Sequence, residues 1–128
     1  MTIVDYVCQL IGKPYIWAGN NARGFDCSGL VIECLQAFDL LPAGDWTADA
    51  LAAKLQKDGW KTVEVGQAGD VVFFHDGAKY SHTAIMINDF QYIEAGGGGA
   101  KCTSPDNSTG MVRIRHNAWR KPSLILHK

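Results

Sequence analysis

The chain lacks the features that mark membrane-spanning, secreted and nucleic-acid-binding proteins. No apolar run approaches the roughly 20 residues that a membrane-spanning helix needs, so no membrane insertion is expected. The start, Met1 to Asp5, has no basic region followed by an apolar core, which predicts the absence of a secretory signal. The 12 Lys and Arg residues nearly balance the 13 Asp and Glu residues, and only the tail from Arg113 to Lys128 is locally basic. A nucleic-acid partner is therefore not expected.

Cysteine is also scarce, and its placement excludes two common uses. The 4 cysteines are too few for a small disulfide-stapled scaffold. No two of them are spaced as Cys-x-x-Cys, which argues against a structural zinc site, and the sequence indicates no metal or other cofactor. Cys8 and Cys34 lie among apolar residues at helical spacing, which predicts buried thiols. Cys102 lies in a polar loop, where a free thiol is expected.

The hydrophobic pattern predicts helices first and an antiparallel sheet afterwards. Apolar residues repeat at helical spacing over 3–11, 27–38 and 47–57, with Thr47 or Asp49 as the cap of the third helix. After Gly59 the pattern becomes strand-like, with runs at 60–65, 71–74, 83–87, 90–93 and 111–115. This order predicts an α+β fold, and the 128 residues suffice for a single domain spanning 1–128.

Residues 24–31, with the sequence Gly-Phe-Asp-Cys-Ser-Gly-Leu-Val, give the most specific signal in the chain. Asp26 is a good N-cap residue, so Cys27 is predicted to open a helix. The partial positive charge and free N–H groups of a helix N-terminus stabilise a thiolate, which is the reactive form of cysteine. The same N–H groups are suited to receive an oxyanion. These features predict a cysteine nucleophile.

A cysteine nucleophile needs a base and a group that orients the base. His82 begins an apolar strand, which would fix its orientation, whereas His75, His116 and His127 are expected at the surface. A hairpin centred near Asn88 would bring the ends near 82 and 94 together. Glu94 would then hold the His82 tautomer and stabilise its imidazolium. The alternative interpretation makes Glu94 an exposed charge at a strand end.

Five segments, in order from Gly12 to Arg115, resemble the NlpC-type peptidases, which are papain-like cysteine peptidases that cut peptidoglycan stem peptides. The segments are 12–19 (GKPYIWAG), 24–31, 68–74 (AGDVVFF), 81–85 (SHTAI) and 112–114 (VRI). The resemblance implies a papain-like fold with N-terminal helices packed on a C-terminal antiparallel sheet. It also implies that Cys27 is the nucleophile and His82 the base. The sequence departs from the family at the third polar position, where His is most common and Glu94 stands here.

The resemblance also implies residues that contact the substrate. Tyr15 matches a tyrosine near the oxyanion and the substrate. Asp26 and Ser28 match positions that in some members recognise a free amine, although Asp26 is also placed to cap the helix. Candidate walls of a substrate groove are Tyr15, Trp17, Trp46 and the loop Gly96–Gly99, whereas Trp60 and Trp119 are assigned to packing.

The expected reaction is hydrolysis of amide bonds in peptidoglycan stem peptides by a monomeric endopeptidase. Two alternatives stay open: an N-acetylmuramoyl-L-alanine amidase or papain-like acyl or amide transferase, and a wall-binding module without activity. The absence of a secretory signal fits a phage endolysin. Such a protein would be made in the cytoplasm and reach the cell wall through a holin, on a virion or by a secretion machine.

Overall fold

The first half of the chain is helical. A computed structural model describes residues 1–21 and 23–128. Its α-helices are α1 (Ile3–Cys8), α2 (Cys27–Ala37) and α3 (Ala48–Lys57). Thr2 caps α1, and Thr47, one of the two predicted candidates, caps α3; each side chain accepts a backbone N–H three residues ahead. The first helix stops at Cys8 rather than near Ile11, and turns carry the chain to Gly12, whose φ of +90° favours glycine.

In the residues that the structure describes, eight strands make one small and one large antiparallel sheet. They are β1 (Asn20–Asn21), β2 (Gly24–Phe25), β3 (Lys61–Thr62), β4 (Val71–His75), β5 (Tyr80–Met86), β6 (Gln91–Gly96), β7 (Met111–His116) and β8 (Leu124–His127). The large sheet has the order β3-β8-β4-β5-β6-β7, and β1 and β2 pair in the small sheet. Helices followed by an antiparallel sheet confirm the predicted α+β class. Within 1–21 and 23–128, no helix is long and apolar enough to cross a membrane.

The main core lies between the helices and one face of the large sheet. Leu30 and Leu35 of α2 and Leu51 of α3 are fully buried there, against Phe73 and Ile85 of the sheet. Because side chains alternate between the faces of a strand, the neighbouring positions point the other way. They form a second cluster on the opposite face: Val72, Phe74, Ala84, Met86 and Tyr92. His82 and Glu94 share the parity of this second face.

Two strands differ from the sequence prediction because their partners are distant in the chain. β8 was not predicted, and it inserts between β3 and β4, with Leu126 opposite Val71. The strand predicted over 60–65 is shortened to β3 (Lys61–Thr62), which pairs with β8. His127, expected at the surface, lies at the end of β8 with Nδ1 2.6 Å from Oδ1 of buried Asp70. A local pattern cannot show such pairings.

The cysteine predictions hold in part. All four thiols are free. Cys34 is fully buried, and this burial raises its pKa to about 12. Cys8 is exposed, so its prediction is wrong, because α1 buries only Val7. Cys102 is free as predicted but is only 2% exposed.

Candidate active site

The start of α2 holds Cys27 in a fixed position. Asp26 has extended backbone, and its Oδ1 accepts the Gly29 N–H at 2.7 Å, which confirms the predicted cap. The Asp26 N–H donates to the Gly19 carbonyl at 2.9 Å. A Cβ at Gly29 would overlap that same carbonyl. The loop that contains Gly19 can therefore pack this closely on α2 only because residue 29 is a glycine. Burial raises the pKa of Asp26 and outweighs the opposing hydrogen bond from Gly29.

His82 lies between Cys27 and Glu94. Its Nε2 is 2.8 Å from Oε1 of Glu94, and its imidazole also interacts with the Cys27 side chain. The Cys27 Sγ lies 3.9 Å from the carbonyl oxygen of Ser81, the residue before His82. The helix N-terminus and the sheet therefore bring a thiol, an imidazole and a carboxylate together, which is the set of groups that nucleophilic catalysis needs.

The predicted register of the hairpin is wrong by one residue. The ladder pairs Ile85 with Ile93 and Met86 with Tyr92, so the hairpin is centred at 89 rather than 88. The cause is the turn, in which the Asn88 side chain accepts the N–H groups of Phe90 and Gln91. His82 and Glu94 are consequently not direct cross-strand partners. Their side chains meet diagonally on one face of the sheet.

The surroundings of His82 and Glu94 shift the pKa of each group. Glu94 is only 5% exposed, so the alternative of a surface charge is wrong. Burial opposes its ionisation, but the hydrogen bonds and charges of His82 and Arg113 prevail and lower its pKa. Burial likewise opposes the imidazolium, and hydrogen bonds to Cys27 and Glu94 overcome it, raising the pKa of His82 to about 9. The imidazolium is thus the favoured form at neutral pH.

The sequence did not reveal the two arginines behind Glu94. Arg113 lies directly opposite Glu94 in the β6–β7 pairing, with its Nε 3.0 Å from Oε2. Arg115 Nε is 3.7 Å from the same oxygen. The tail is locally basic, but residues 97–110 separate the two strands. A connection of that length does not fix a register, so no local signal identifies the pair.

Tyr15 stands beside the thiol with a protonated hydroxyl. It is 7% exposed, and burial, followed by the nearby Cys27 and Asp26, raises its pKa to about 12. The hydroxyl has no hydrogen-bond partner in the described part of the chain. The Tyr15 carbonyl accepts the Ser108 hydroxyl at 2.6 Å, and a Cβ at Gly98 would overlap the Tyr15 ring. Glycine at position 98 therefore lets the backbone of the Gly96–Gly99 loop pass close to the Tyr15 ring.

Two cavities meet at Cys27, Tyr15 and Ser81, which line both. The first, of about 390 Å³, is called the acidic cavity, and its other walls include Trp17, Asp26, Ser28, Asp49 and Lys79. The second, of about 320 Å³, is called the basic cavity, and its other walls include His82, Glu94, Gly96, Arg113, Trp119 and Arg120. A larger cavity of about 560 Å³ lies near β3 and β8 and contains none of the predicted site residues.

Most predicted groove residues line one of these two cavities. Trp17 is 54% exposed beside the acidic cavity, and Gly96 lines the basic cavity. Trp46 lines neither and packs against the core, so it is not a groove wall. Trp60 is buried as predicted, but Trp119 is 66% exposed at the basic cavity, so its assignment to packing is wrong. The loop after β7 carries Trp119 outward.

Asp26 and Ser28 both reach the acidic cavity. The Ser28 hydroxyl donates to Oδ1 of Asp26 at 3.4 Å, and that oxygen also caps α2. Capping is therefore established by the geometry, whereas amine recognition stays a prediction. In the described residues no cluster of His, Cys, Asp and Glu side chains is suited to a metal ion.

Comparison with known proteins agrees with this geometry. A family model described as the NlpC/P60 family matches residues 12–120. The probable peptidoglycan endopeptidase LytE of Bacillus subtilis is 32% identical over 111 residues, which cover 83% of this chain and 30% of LytE. A gamma-D-glutamyl-L-lysine dipeptidyl-peptidase of Bacillus cereus is 33% identical over 91 residues, covering 68% of this chain and 26% of that enzyme. The chain therefore spans less than a third of either relative.

A solved structure extends the similarity to the whole chain. The NlpC/p60 domain of the peptidoglycan hydrolase SagA superposes with a TM-score of 0.73 at 27% sequence identity. The superposition covers 98% of this chain and 96% of that domain. The fold of this chain is therefore that of an NlpC/p60 domain.

Proposed function

Since the chain belongs to the NlpC/P60 family, we propose that it is a cysteine peptidase that hydrolyses amide bonds in peptidoglycan stem peptides. One observation carries the proposal: His82 is held between the Cys27 thiol and the buried carboxylate of Glu94, at the wall of an open cavity. A thiol at a helix N-terminus, an imidazole and a buried carboxylate are the three groups that a cysteine peptidase needs.

The first chemical step is the attack of Cys27 on the scissile carbonyl. The thiol gives its proton to His82, whose raised pKa favours the imidazolium, and the thiolate forms the bond to carbon. The first N–H of α2 has no intrahelical acceptor and faces the developing oxyanion. The Tyr15 hydroxyl, protonated and unpaired within 1–21 and 23–128, is the second donor. Both donors act on charge that exists only after the attack.

The second half of the reaction uses the same histidine. The His82 imidazolium protonates the leaving nitrogen, the C–N bond breaks and a thioester remains on Cys27. Neutral His82 then takes a proton from water, the resulting hydroxide attacks the thioester, and the thiolate leaves. Glu94 keeps the ring in place throughout, because its Oε1 holds Nε2.

The names of similar proteins support a wall peptide as the substrate. LytE is named as a probable peptidoglycan endopeptidase, and the Bacillus cereus relative is named for a bond between D-glutamate and L-lysine. The acidic cavity, with Asp26 and Asp49, suits the free amine of a short peptide. Stem peptides freed at their first residue carry such an amine.

Digestion of purified peptidoglycan, followed by mass analysis of the fragments, tests the proposal. New amines on D-alanine, diaminopimelate or lysine would establish an endopeptidase. Intact stem peptides released from muramic acid would instead identify an amidase. Binding without any turnover would identify a wall-binding module. Delivery as a phage endolysin stays a prediction, which lysis of cells by cytoplasmic expression with and without a holin would test.

A further inference from the structure

The two cavities beside Cys27 carry opposite charge. In the acidic cavity Asp26 and Asp49 outnumber Lys79. In the basic cavity Arg113 and Arg120 outnumber Glu94, and the Glu94 carboxylate is already paired with His82 and Arg113. A substrate that binds across Cys27 therefore contacts the acidic cavity on one side and the basic cavity on the other.

The position of His82 indicates which part of the substrate occupies which cavity. Of the two cavities, only the basic one has His82 in its wall, although Cys27 and Ser81 line both. The imidazolium has to reach the nitrogen that leaves, because it donates the proton to that atom. The leaving part of the substrate therefore occupies the basic cavity, and the acyl part occupies the acidic cavity.

Arg120 differs from Arg113 in having an uncommitted side chain. Arg113 is engaged with Glu94, whereas Arg120 forms no ion pair with any carboxylate among the described residues. Its guanidinium lies 4.8 Å from the centroid of the Phe74 ring, and its carbonyl accepts the Tyr92 hydroxyl at 3.2 Å. The side chain is thus positioned over the sheet while its donors are free for a ligand. Trp119, 66% exposed, stands beside it on the same wall.

We propose that the basic cavity is a carboxylate-selecting subsite for the leaving part of the substrate, with Arg120 as its specificity-determining residue. Guanidinium binds a carboxylate through two parallel N–H···O bonds, which a neutral amide or an ammonium group does not reproduce. The substrates favoured are peptides whose leaving residue carries a free side-chain carboxylate. This inference rests on the proposed peptidase function, because it uses the direction of proton transfer.

Two peptides that differ in one group provide the kinetic test. Both are L-Ala-γ-D-Glu-diaminopimelate with an amidated C-terminus, and the side-chain carboxylate of the diaminopimelate is free in one and amidated in the other. We expect wild type to cleave the free acid with a kcat/KM about 10-fold or more above that of the amide. Arg120→Gln should abolish this ratio by lowering kcat/KM for the acid only. Equal cleavage by wild type, or an unchanged ratio in Arg120→Gln, would overturn the subsite.

The matched control is Lys121→Gln, which removes the neighbouring exposed charge. Lys121 lines the larger, separate cavity, so the ratio should stay at its wild-type value. Loss of the ratio in both variants would show that general electrostatic attraction, rather than a site at Arg120, produces the preference. Arg120→Lys keeps the positive charge but replaces the planar guanidinium by an ammonium group. It should therefore retain part of the kcat/KM ratio between the free acid and the amide.

Binding to an inactive protein separates this inference from the proposed function. Calorimetric titration of Cys27→Ala with the two peptides should give tighter binding of the free acid, and Cys27→Ala/Arg120→Gln should bind both alike. If wild type cleaves neither peptide but Cys27→Ala discriminates, the peptidase assignment fails for these peptides, and only carboxylate recognition by Arg120 stands. If wild type cleaves both equally and Cys27→Ala binds both equally, the subsite fails and the peptidase stands.

Discussion

Glu94 and Arg113 face each other across β6 and β7, and the Arg113 Nε lies 3.0 Å from Glu94 Oε2. The other carboxylate oxygen, Oε1, holds His82 at 2.8 Å. Each oxygen thus has a cationic hydrogen-bond partner, and the carboxylate has little freedom to rotate. Arg113 is a positioning residue that acts on His82 through Glu94.

Arg113→Gln should weaken catalysis through Glu94, because the Arg113 guanidinium is engaged with that carboxylate. The pKa of Glu94 should rise because a cation and a hydrogen bond that lower it are lost. The acidic limb of the kcat/KM profile should therefore move to higher pH, and the maximum should fall about 10-fold. The control is Arg115→Gln, whose Nε lies 3.7 Å from Glu94, beyond a good hydrogen bond. Equal profiles for both variants would contradict the role of Arg113.

Glu94→Gln should abolish most of the activity while leaving the fold intact. The amide is nearly isosteric, but it cannot stabilise the imidazolium, so kcat/KM should fall about 100-fold or more. Circular dichroism and thermal unfolding check the fold. Glu33→Gln is a matched control, since Glu33 accepts the Tyr6 hydroxyl at 2.8 Å away from the site. Unchanged turnover in Glu94→Gln would reduce Glu94 to a structural charge.

Stability should depend on pH through His82. Its pKa is raised from 6.5 to about 9 by hydrogen bonds to Cys27 and Glu94, which outweigh the opposing effect of burial. A raised pKa in the folded state gives a stabilisation that is complete below pH 6.5 and is lost as the pH rises through 9. Urea unfolding from pH 6 to 10 should show a loss of about 1–3 kcal/mol. His82→Gln should remove this loss, and an identical pH dependence in the variant would exclude His82 as its source.

The glycine loop offers two neighbouring positions with opposite expectations. A Cβ at Gly98 would overlap the Tyr15 ring, whereas a Cβ at Gly99 meets nothing within 4 Å. Gly98→Ala should displace Tyr15 and lower kcat about 10-fold or more through loss of an oxyanion donor. Gly99→Ala should leave kcat within about 2-fold of wild type, since substitutions at exposed positions without close neighbours usually have small effects. Similar kcat values for the two variants would show that Tyr15 does not act on the oxyanion.

The sequence predicts the parts of this site that depend on local chemistry. Asp26 caps α2 because a short acceptor before an apolar repeat is a local signal. The proximity of His82 and Glu94 also followed from sequence, because a short hairpin joins their strands, although the register was off by one residue. In each case the determining residues are close together in the chain.

The remaining features depend on contacts between distant segments. Arg113 meets Glu94 only after a connection over 97–110, and β8 pairs with strands more than 50 residues earlier. Exposed Trp119 and Arg120 follow from the path of the chain after β7, which no periodicity encodes. The basic cavity was therefore not predictable, whereas the position of Cys27 at the start of α2 and the proximity of His82 to Glu94 were.

The most direct measurement of the central claim compares the release of new amines from peptidoglycan by wild type, Cys27→Ala and Cys8→Ala. Cys8 is an exposed thiol outside both cavities, so its removal controls for a general loss of cysteine. We expect wild type and Cys8→Ala to release amines at the same rate and Cys27→Ala to release none above background. Equal release by Cys27→Ala would contradict a mechanism in which the Cys27 thiolate attacks the scissile carbonyl.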